Sequence, residues 1–369
     1  MLSEYARHSR ALDSEILRAL DAWHAHGRPL ADREFDDLAL RIFAYQLRYN
    51  EPYARYCASL GVSASAMPDS WQAIPAVPAD AFKETTLATF DPARAALAFE
   101  TSGTTSGTGG RHYMETPGLY DAALLAGFDR FMLPDDARLR FLNLVPNPSE
   151  RPESSLGYMM AQVSARRGDG QTGWYLRGED LLFEALLRDL GSAVADGAPV
   201  CIAATAFALV HVLDEMTARG ITLTLPAGSR MMETGGFKGR ARVVDRADLY
   251  ARAGERFGIA SAAIVAEYGM TELSSQYYDD VRNANAVDAR RKTAPPTLRT
   301  RIVAPNGATL PNGTVGALLH VDLANRSSCV AILTEDLGVA FEDGLVLIGR
   351  ETGASLRGCS LDAETLRPQ

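Results

Sequence analysis

Residues 262–272 read Ala262-Ala263-Ile264-Val265-Ala266-Glu267-Tyr268-Gly269-Met270-Thr271-Glu272. A short apolar run that breaks into Glu-Tyr-Gly predicts a buried strand with a turn at its carboxyl end, where layered α/β sheets present ligand-binding loops. The same grammar recurs upstream. Leu97-Ala98-Phe99, Leu139 to Val145 and Val200 to Ala203 are strand-length apolar runs, and Leu181 to Leu190 repeats at helical spacing between two of them. Strands alternating with helices predict a layered α/β body with a largely parallel sheet.

Outward from this body the pattern changes at both ends. Leu12, Ile16, Leu20 and Trp23, then Phe35, Leu38, Ile42 and Tyr45, follow helical spacing and predict a helical lead-in over residues 1–66. Three prolines between Met67 and Pro78 mark its boundary. The α/β body is expected over 67–296. After Pro296, the runs Leu298 to Val303, Gly316 to Val321, Ala331 to Thr334, Val339 to Phe341 and Leu345 to Ile348 predict strands. Asn306-Gly307, Asn312-Gly313 and Asp343-Gly344 supply hairpin turns among them, giving a small β-rich subdomain over 297–369.

Composition narrows the function classes. Of 369 residues, 47% are hydrophobic and 22% charged, which excludes disordered and coiled-coil chains. A net charge of -9 opposes binding to nucleic acid or anionic lipid. Cys57, Cys201, Cys329 and Cys359 are widely spaced, fitting neither a zinc ribbon nor a disulfide framework. With no leader pattern and no long unbroken apolar run, a cytoplasmic protein without a membrane span is expected. No Gly-x-Ser-x-Gly or His-Glu-x-x-His occurs, which removes the common hydrolase and metalloprotease readings.

Two motifs carry chemistry. Thr101-Ser102-Gly103-Thr104-Thr105-Ser106-Gly107-Thr108-Gly109-Gly110 follows a predicted strand. Its glycines let backbone N–H groups converge and its hydroxyls add donors, so it reads either as a phosphate-holding loop or as a solvated Gly/Ser/Thr loop. Tyr268-Gly269-Met270-Thr271-Glu272 offers a ring to stack on a base, a hydroxyl for phosphate and a carboxylate for Mg²⁺; its alternative is a tight turn capping a helix. The histidines decide less. His24 and His26 read as an exposed helix end, His112 as a ligand contact or a solvated loop residue, and His211 as packing.

Together the motifs resemble those of the adenylate-forming enzymes, with Thr234-Gly235-Gly236-Phe237, Thr334-Glu335-Asp336-Leu337-Gly338 and Ile348-Gly349-Arg350-Glu351-Thr352 following in the same order. Within that superfamily the chain resembles the LuxE-type acyl-protein synthetases. The residues that carry this are Phe82-Lys83-Glu84, Ser154-Ser155-Leu156, Gly235 to Arg240, Glu267 to Gln276 and Arg357-Gly358-Cys359-Ser360. The chain departs from the pattern in several places: Arg111 stands where the phosphate loop usually reaches a lysine, and Glu335 where most relatives have glycine. The superfamily's full C-terminal mobile domain is expected to be absent, because ten residues follow Cys359.

The resemblance implies ATP and Mg²⁺ as cofactors and assigns roles. Thr101, Ser102, Gly103, Thr104, Thr105, Ser106, Gly107 and Arg111 would take the pyrophosphate, and Thr271 the α-phosphate. Glu272 would hold Mg²⁺; Tyr268 and Gly236 would line adenine, with Gly235, Phe237, Gly269 and Met270 also in the cofactor site; Asp336 would grip ribose, and Arg350 would reach ribose or phosphate. Cys359, two residues after Arg357, would accept the acyl group, its alternative being a small buried hydrophobe. The implied activity is that of an AMP-forming acid–thiol ligase: activation of a carboxylic, first of all fatty, acid as acyl-AMP, then transfer to Cys359 for an acyl reductase partner. The alternatives are a ligase loading CoA or a carrier-protein thiol, and a non-catalytic nucleotide-binding subunit. Homo-oligomer formation stays open.

Overall fold

The lead-in helices form where the apolar spacing puts them. In the computed structural model, which describes residues 3–101, 109–178, 180–235, 244–282 and 286–350, α1 (Glu4–His26) starts at Ser3, whose side chain accepts from Ala6 N, and buries Leu12, Ile16, Leu20 and Trp23. Helix α2 (Asp32–Tyr49) buries Phe35, Leu38, Ile42 and Tyr45, and Glu34 closes its first turn by accepting from Ala31 N. Asn50 then caps α3 (Glu51–Ser59). After Pro75 come β1 (Val77–Pro78), the single turn α4 (Ala81–Glu84), and an antiparallel hairpin of β2 (Leu97–Glu100) and β3 (Arg111–Met114). Helix α5 (Gly118–Met132) follows.

The expected α/β alternation comes next. In chain order it runs β4 (Leu139–Leu144), α6 (Ser155–Arg167), β5 (Gly168–Trp174), a small hairpin of β6 (Leu176–Arg177) and β7 (Asp180–Leu181), α7 (Phe183–Asp196) and β8 (Val200–Thr205). There follow α8 (Ala206–Ala218), β9 (Arg230–Thr234), α9 (Arg246–Phe257), β10 (Ile264–Tyr268), β11 (Tyr277–Asp279) and β12 (Lys292–Thr293). Strands β5-β4-β8-β9-β10 lie side by side and parallel, and β11 and β12 extend the row antiparallel. Parallel strands covered by helices must be apolar on both faces. Accordingly β4 is buried throughout, and Ile202 and Ile264 pack with Leu209, Leu213, Met216 and Phe257 from α8 and α9.

The β-rich end is an antiparallel sheet in sequence order: β13 (Leu298–Val303), β14 (Val315–Asp322), β15 (Ala331–Phe341) and β16 (Gly344–Arg350). One expectation changes here. Ala331 to Thr334 and Val339 to Phe341, expected as two strands, are a single strand that includes Glu335 to Gly338 between them. The register shifts on both sides of this stretch, against β14 between Ala317 and Leu319 and against β16 between Leu337 and Gly338. Thr334 Oγ1 steadies the approach to it, donating to Leu318 O at 3.0 Å and accepting from Asp336 N at 3.1 Å.

Strand β1 pairs in parallel with β15, Val77 opposite Ile332, so the beginning of the chain and its β-rich end share one unit. That unit comprises residues 1–126, Met270–Gln276 and the stretch from Ala294 onward; the other comprises Gly127–Gly269 and Tyr277–Thr293. Among the described residues no helix is long and apolar enough to cross a membrane.

The second unit buries charge as well as hydrocarbon. Asp279, fully buried on β11, accepts from Lys292 Nζ at 3.1 Å and from Arg246 at 3.1 Å, and Lys292 Nζ also donates to Ala266 O at 3.1 Å. Beside them burial raises the Glu233 carboxyl, which accepts from Tyr250 OH at 3.1 Å. Removing one partner from such a pair strands the other in low dielectric. Asp279→Ala is therefore expected to cost about 3 kcal/mol or more, read as a lower urea midpoint at unchanged slope; a loss below about 1 kcal/mol would refute this role.

Candidate functional site

The glycine-rich stretch is the connection of the β2–β3 hairpin. Its base is closed by Thr101, whose N–H donates to Gly110 O at 2.8 Å and whose Oγ1 accepts from Gly110 N at 2.9 Å. Both glycines at its end sit where a side chain has no room. A Cβ on Gly109 would fall 2.6 Å from the Glu100 side chain; one on Gly110 would fall 2.6 Å from the Phe82 carbonyl and 2.7 Å from Lys83 N. The backbone of α4 therefore lies directly against the loop's end. Ser102, Gly103, Thr104, Thr105, Ser106 and Gly107 lie outside the described residues. Arg111 opens β3 opposite Glu100, with its side chain exposed.

In the same unit, Thr271 to Gln276 has no regular secondary structure, so its backbone groups need other partners. Side chains supply them. His112 Nδ1 lies 2.9 Å from Thr271 O, and Asn325 Nδ2 donates to Glu272 O at 2.8 Å. Asp322 accepts from Ser274 N at 3.0 Å and from Ser275 N and Ser275 Oγ at 2.9 Å each. Ser274 Oγ donates to Asn325 Oδ1 at 2.7 Å. Thr271 is half-buried and Glu272 buried.

His112 fits neither reading offered by the sequence. It is fully buried, with Nε2 2.9 Å from Ser328 Oγ and its ring edge-on to Phe82, and burial pushes its pKa down to about 4. The signal was the period-two alternation of β3, where Arg111 faces out while His112 and Met114 face in.

The other unit holds the remaining turns. Strand β9 ends at Thr234, and Gly235 then takes a positive φ of 74°, which a residue with a side chain rarely adopts. Glu267 lies opposite Thr234 on β10 and accepts from its hydroxyl. Tyr268 ends β10 half-buried, its ring centroid 5.7 Å from that of Tyr277, and Gly269 follows it. Tyr268-Gly269 thus belongs to this unit and Met270-Thr271-Glu272 to the first. Gly236 and Phe237 lie outside the described residues.

Asp336, which lies between the two strand runs expected from the sequence, is half-buried on β15 in register with Arg350 on β16. Cys359 lies outside the described residues. Cys57, Cys201 and Cys329 are free and buried, and burial raises all three thiols, the first two to about 12, which makes them packing residues. His24 and His26 are exposed, and no group of three metal-binding side chains occurs among the described residues. His211 is also exposed, its ring edge-on to Phe207 at 4.4 Å.

The model of the family described as acyl-protein synthetase, LuxE, matches residues 32–364, and the chain belongs to that family. Solved structures place its fold among adenylate-forming enzymes. The chain is similar to the amide bond synthetase McbA from Marinactinospora thermotolerans, at 22% identity and a TM-score of 0.50 over 70% of this chain and 49% of that one. It is likewise similar to ATP-bound MatB from Rhodopseudomonas palustris, at 17% and 0.51 over 71% and 49%. A 2-hydroxyisobutyryl-CoA ligase bound to its adenylate and CoA gives 14% and 0.61 over 85% and 65%. The chain spans about half the length of the first two. No curated protein matches it.

Close packing at the loop's end gives a direct test. Gly110→Ala must displace the α4 backbone, and overpacking of this kind costs about 1–3 kcal/mol. Thermal unfolding should show that loss, whereas Gly118→Ala, with open space around the new Cβ, should not. Equal behaviour of the two variants would contradict the packing.

Proposed function

We propose that the protein uses ATP to convert a carboxylic acid, first of all a fatty acid, into an acyl adenylate and then passes the acyl group to the Cys359 thiol for delivery to an acyl reductase. One observation carries the reading. The bond between His112 and the Thr271 carbonyl joins the base of a hydroxyl-rich glycine loop to the Thr271-Glu272 segment, from positions 159 residues apart. Family membership supports the acyl-protein synthetase type.

Adenylation is an in-line displacement, in which a carboxylate oxygen bonds to the α-phosphorus of ATP and the bond to pyrophosphate breaks. Positioning and electrostatics supply the catalysis. In this reading Thr101 to Gly107 and Arg111 receive the pyrophosphate, and the Thr271 hydroxyl meets the α-phosphate. Tyr268 and Gly236 border adenine, Gly235, Phe237, Gly269 and Met270 belong to the same cofactor site, Asp336 holds ribose, and Arg350 contacts ribose or phosphate. Glu272, a buried carboxylate beside Thr271, would hold Mg²⁺, a hard cation that suits an oxygen ligand. When bound, the ion would offset negative charge on the phosphates. In the second half-reaction the Cys359 thiolate bonds to the acyl carbon and AMP leaves with the electrons of the broken C–O bond.

Carboxylate-dependent ATP–pyrophosphate exchange over a panel of acids tests the first half-reaction and identifies its substrate together. Glu272→Gln is expected to lower exchange by about 100-fold or more with an unchanged unfolding midpoint; wild-type exchange in that variant would refute the metal assignment.

Cys359→Ser separates the half-reactions. It should keep pyrophosphate exchange and abolish the hydroxylamine-labile acyl adduct seen by intact-protein mass spectrometry. A wild type that never carries an adduct yet releases acyl-CoA would overturn the thiol assignment in favour of a CoA ligase.

A further inference from the structure

We propose that His112 is a positioning residue whose neutral imidazole, protonated on Nδ1, fixes the Thr271 peptide and so aims the Thr271 hydroxyl and Glu272 carboxylate from the base of the glycine-rich loop. What that aim serves rests on the adenylation reading.

The partners determine the tautomer. A carbonyl oxygen accepts and never donates, so the nitrogen 2.9 Å from Thr271 O carries the proton. In a neutral ring Nε2 then holds a lone pair, and the Ser328 hydroxyl 2.9 Å away donates to it. The opposite tautomer would set two lone pairs face to face at Thr271. A doubly protonated ring would bury a charge with no carboxylate bonded to it, and burial disfavours that form.

Everything around the ring is held in turn. Ser328 is buried, and its own carbonyl accepts from Asn50 Nδ2 at 3.0 Å. The Phe82 ring packs edge-on to the imidazole at 5.6 Å, and the Phe82 backbone is the surface against which Gly110 lies. His112 is two residues beyond Gly110 on β3, so the strand that ends the loop also fixes the carbonyl between Thr271 and Glu272. An apolar residue of similar volume would fill the space and leave Thr271 O without this donor.

Two conservative substitutions separate positioning from packing. The side-chain amide of Asn reaches the place of Nδ1 and keeps a donor for Thr271 O; that of Gln reaches the place of Nε2 and does not. With the full-length protein, His112→Gln is expected to lower kcat for pyrophosphate exchange by about 10- to 100-fold, with KM for ATP within about threefold of wild type. It should also speed hydrogen–deuterium exchange in the peptide over 268–276. His112→Asn, at a similar unfolding midpoint, should recover most of both. Equal kcat losses in the two variants, losses that track the unfolding midpoint, or unchanged protection over 268–276 in the Gln variant would overturn the proposal.

If His112→Gln does not fold, Ser328→Ala carries the test. Lower kcat at unchanged KM with faster exchange over 268–276 supports the proposal, and wild-type values for both overturn it. A wild type inactive with every acid would sink the adenylation reading, and the deuterium measurement alone would then decide whether His112 positions Thr271.

Discussion

Four donors converge on the buried carboxylate of Asp322: Ser274 N, Ser275 N, Ser275 Oγ and Ala324 N, at 2.9–3.0 Å. Three backbone N–H groups and one hydroxyl aimed at it favour the carboxylate form, against burial, which pushes its pKa up to about 6. The rest of the candidate site in this unit depends on that constraint. It ties the segment after Glu272, which has no ladder of its own, to the turn that begins at Asp322 and leads into β15. The backbone after Thr271 therefore has its conformation specified by side chains far away in sequence.

That turn is anchored by the N-terminal helices. Gln46 Nε2 donates to Asn325 O and Arg326 O while its Oε1 accepts from Val330 N, so one buried amide satisfies three backbone groups. Asn50 adds a bond to Ser328 O. Asp13 receives the Arg326 guanidinium through two oxygens at 2.7 and 2.9 Å, with Arg326 only 3% exposed. The lead-in helices thus belong to the framework of the Thr271 segment. The family match begins at residue 32, so α1, which carries Asp13, closes this framework from outside the matched stretch.

Elements with strong periodicity were legible in the sequence. The stripe Leu12, Ile16, Leu20, Trp23 and the run Ile264 to Ala266 form a helix and a strand because burial rewards those spacings whatever they pack against. The two motifs were legible as chemistry, since glycine and hydroxyl content reveals what a loop can bind. Tertiary partnership was not. Nothing near Asp322 in sequence indicates Ser274 and Ser275, and Gln46 reads as an ordinary polar residue on α2. Glu335 to Gly338 falls between two runs read as separate strands, yet Leu337 and Gly338 pair with β14 and Asp336 to Gly338 with β16, so one strand continues through it. His112 was misread because a residue so close to a glycine-rich loop was taken as part of it, although strand alternation had already begun.

A polar framework of this kind cannot be exchanged for hydrocarbon, although buried polar groups in general often can. Gln46, Asn50, His112, Ser275, Asp322, Asn325 and Ser328 are all fully buried. In a helix or a sheet the backbone satisfies itself, and apolar side chains can fill the space between elements. The Thr271 to Gln276 segment has no such ladder, so each side-chain partner taken away leaves a specific backbone group unpaired: Thr271 O without the His112 donor, Glu272 O without the Asn325 donor, Ser274 N and Ser275 N without the Asp322 acceptor. Leaving a buried group unmade costs about 1–3 kcal/mol, more than an average hydrogen bond contributes. Alternative conformations of the segment are disfavoured by the same amounts, because they would separate these groups from partners that the helices and β14 hold in place. Rigidity in an irregular segment therefore comes from the exactness of its polar contacts, and a water-filled or apolar substitute would leave its conformation underdetermined.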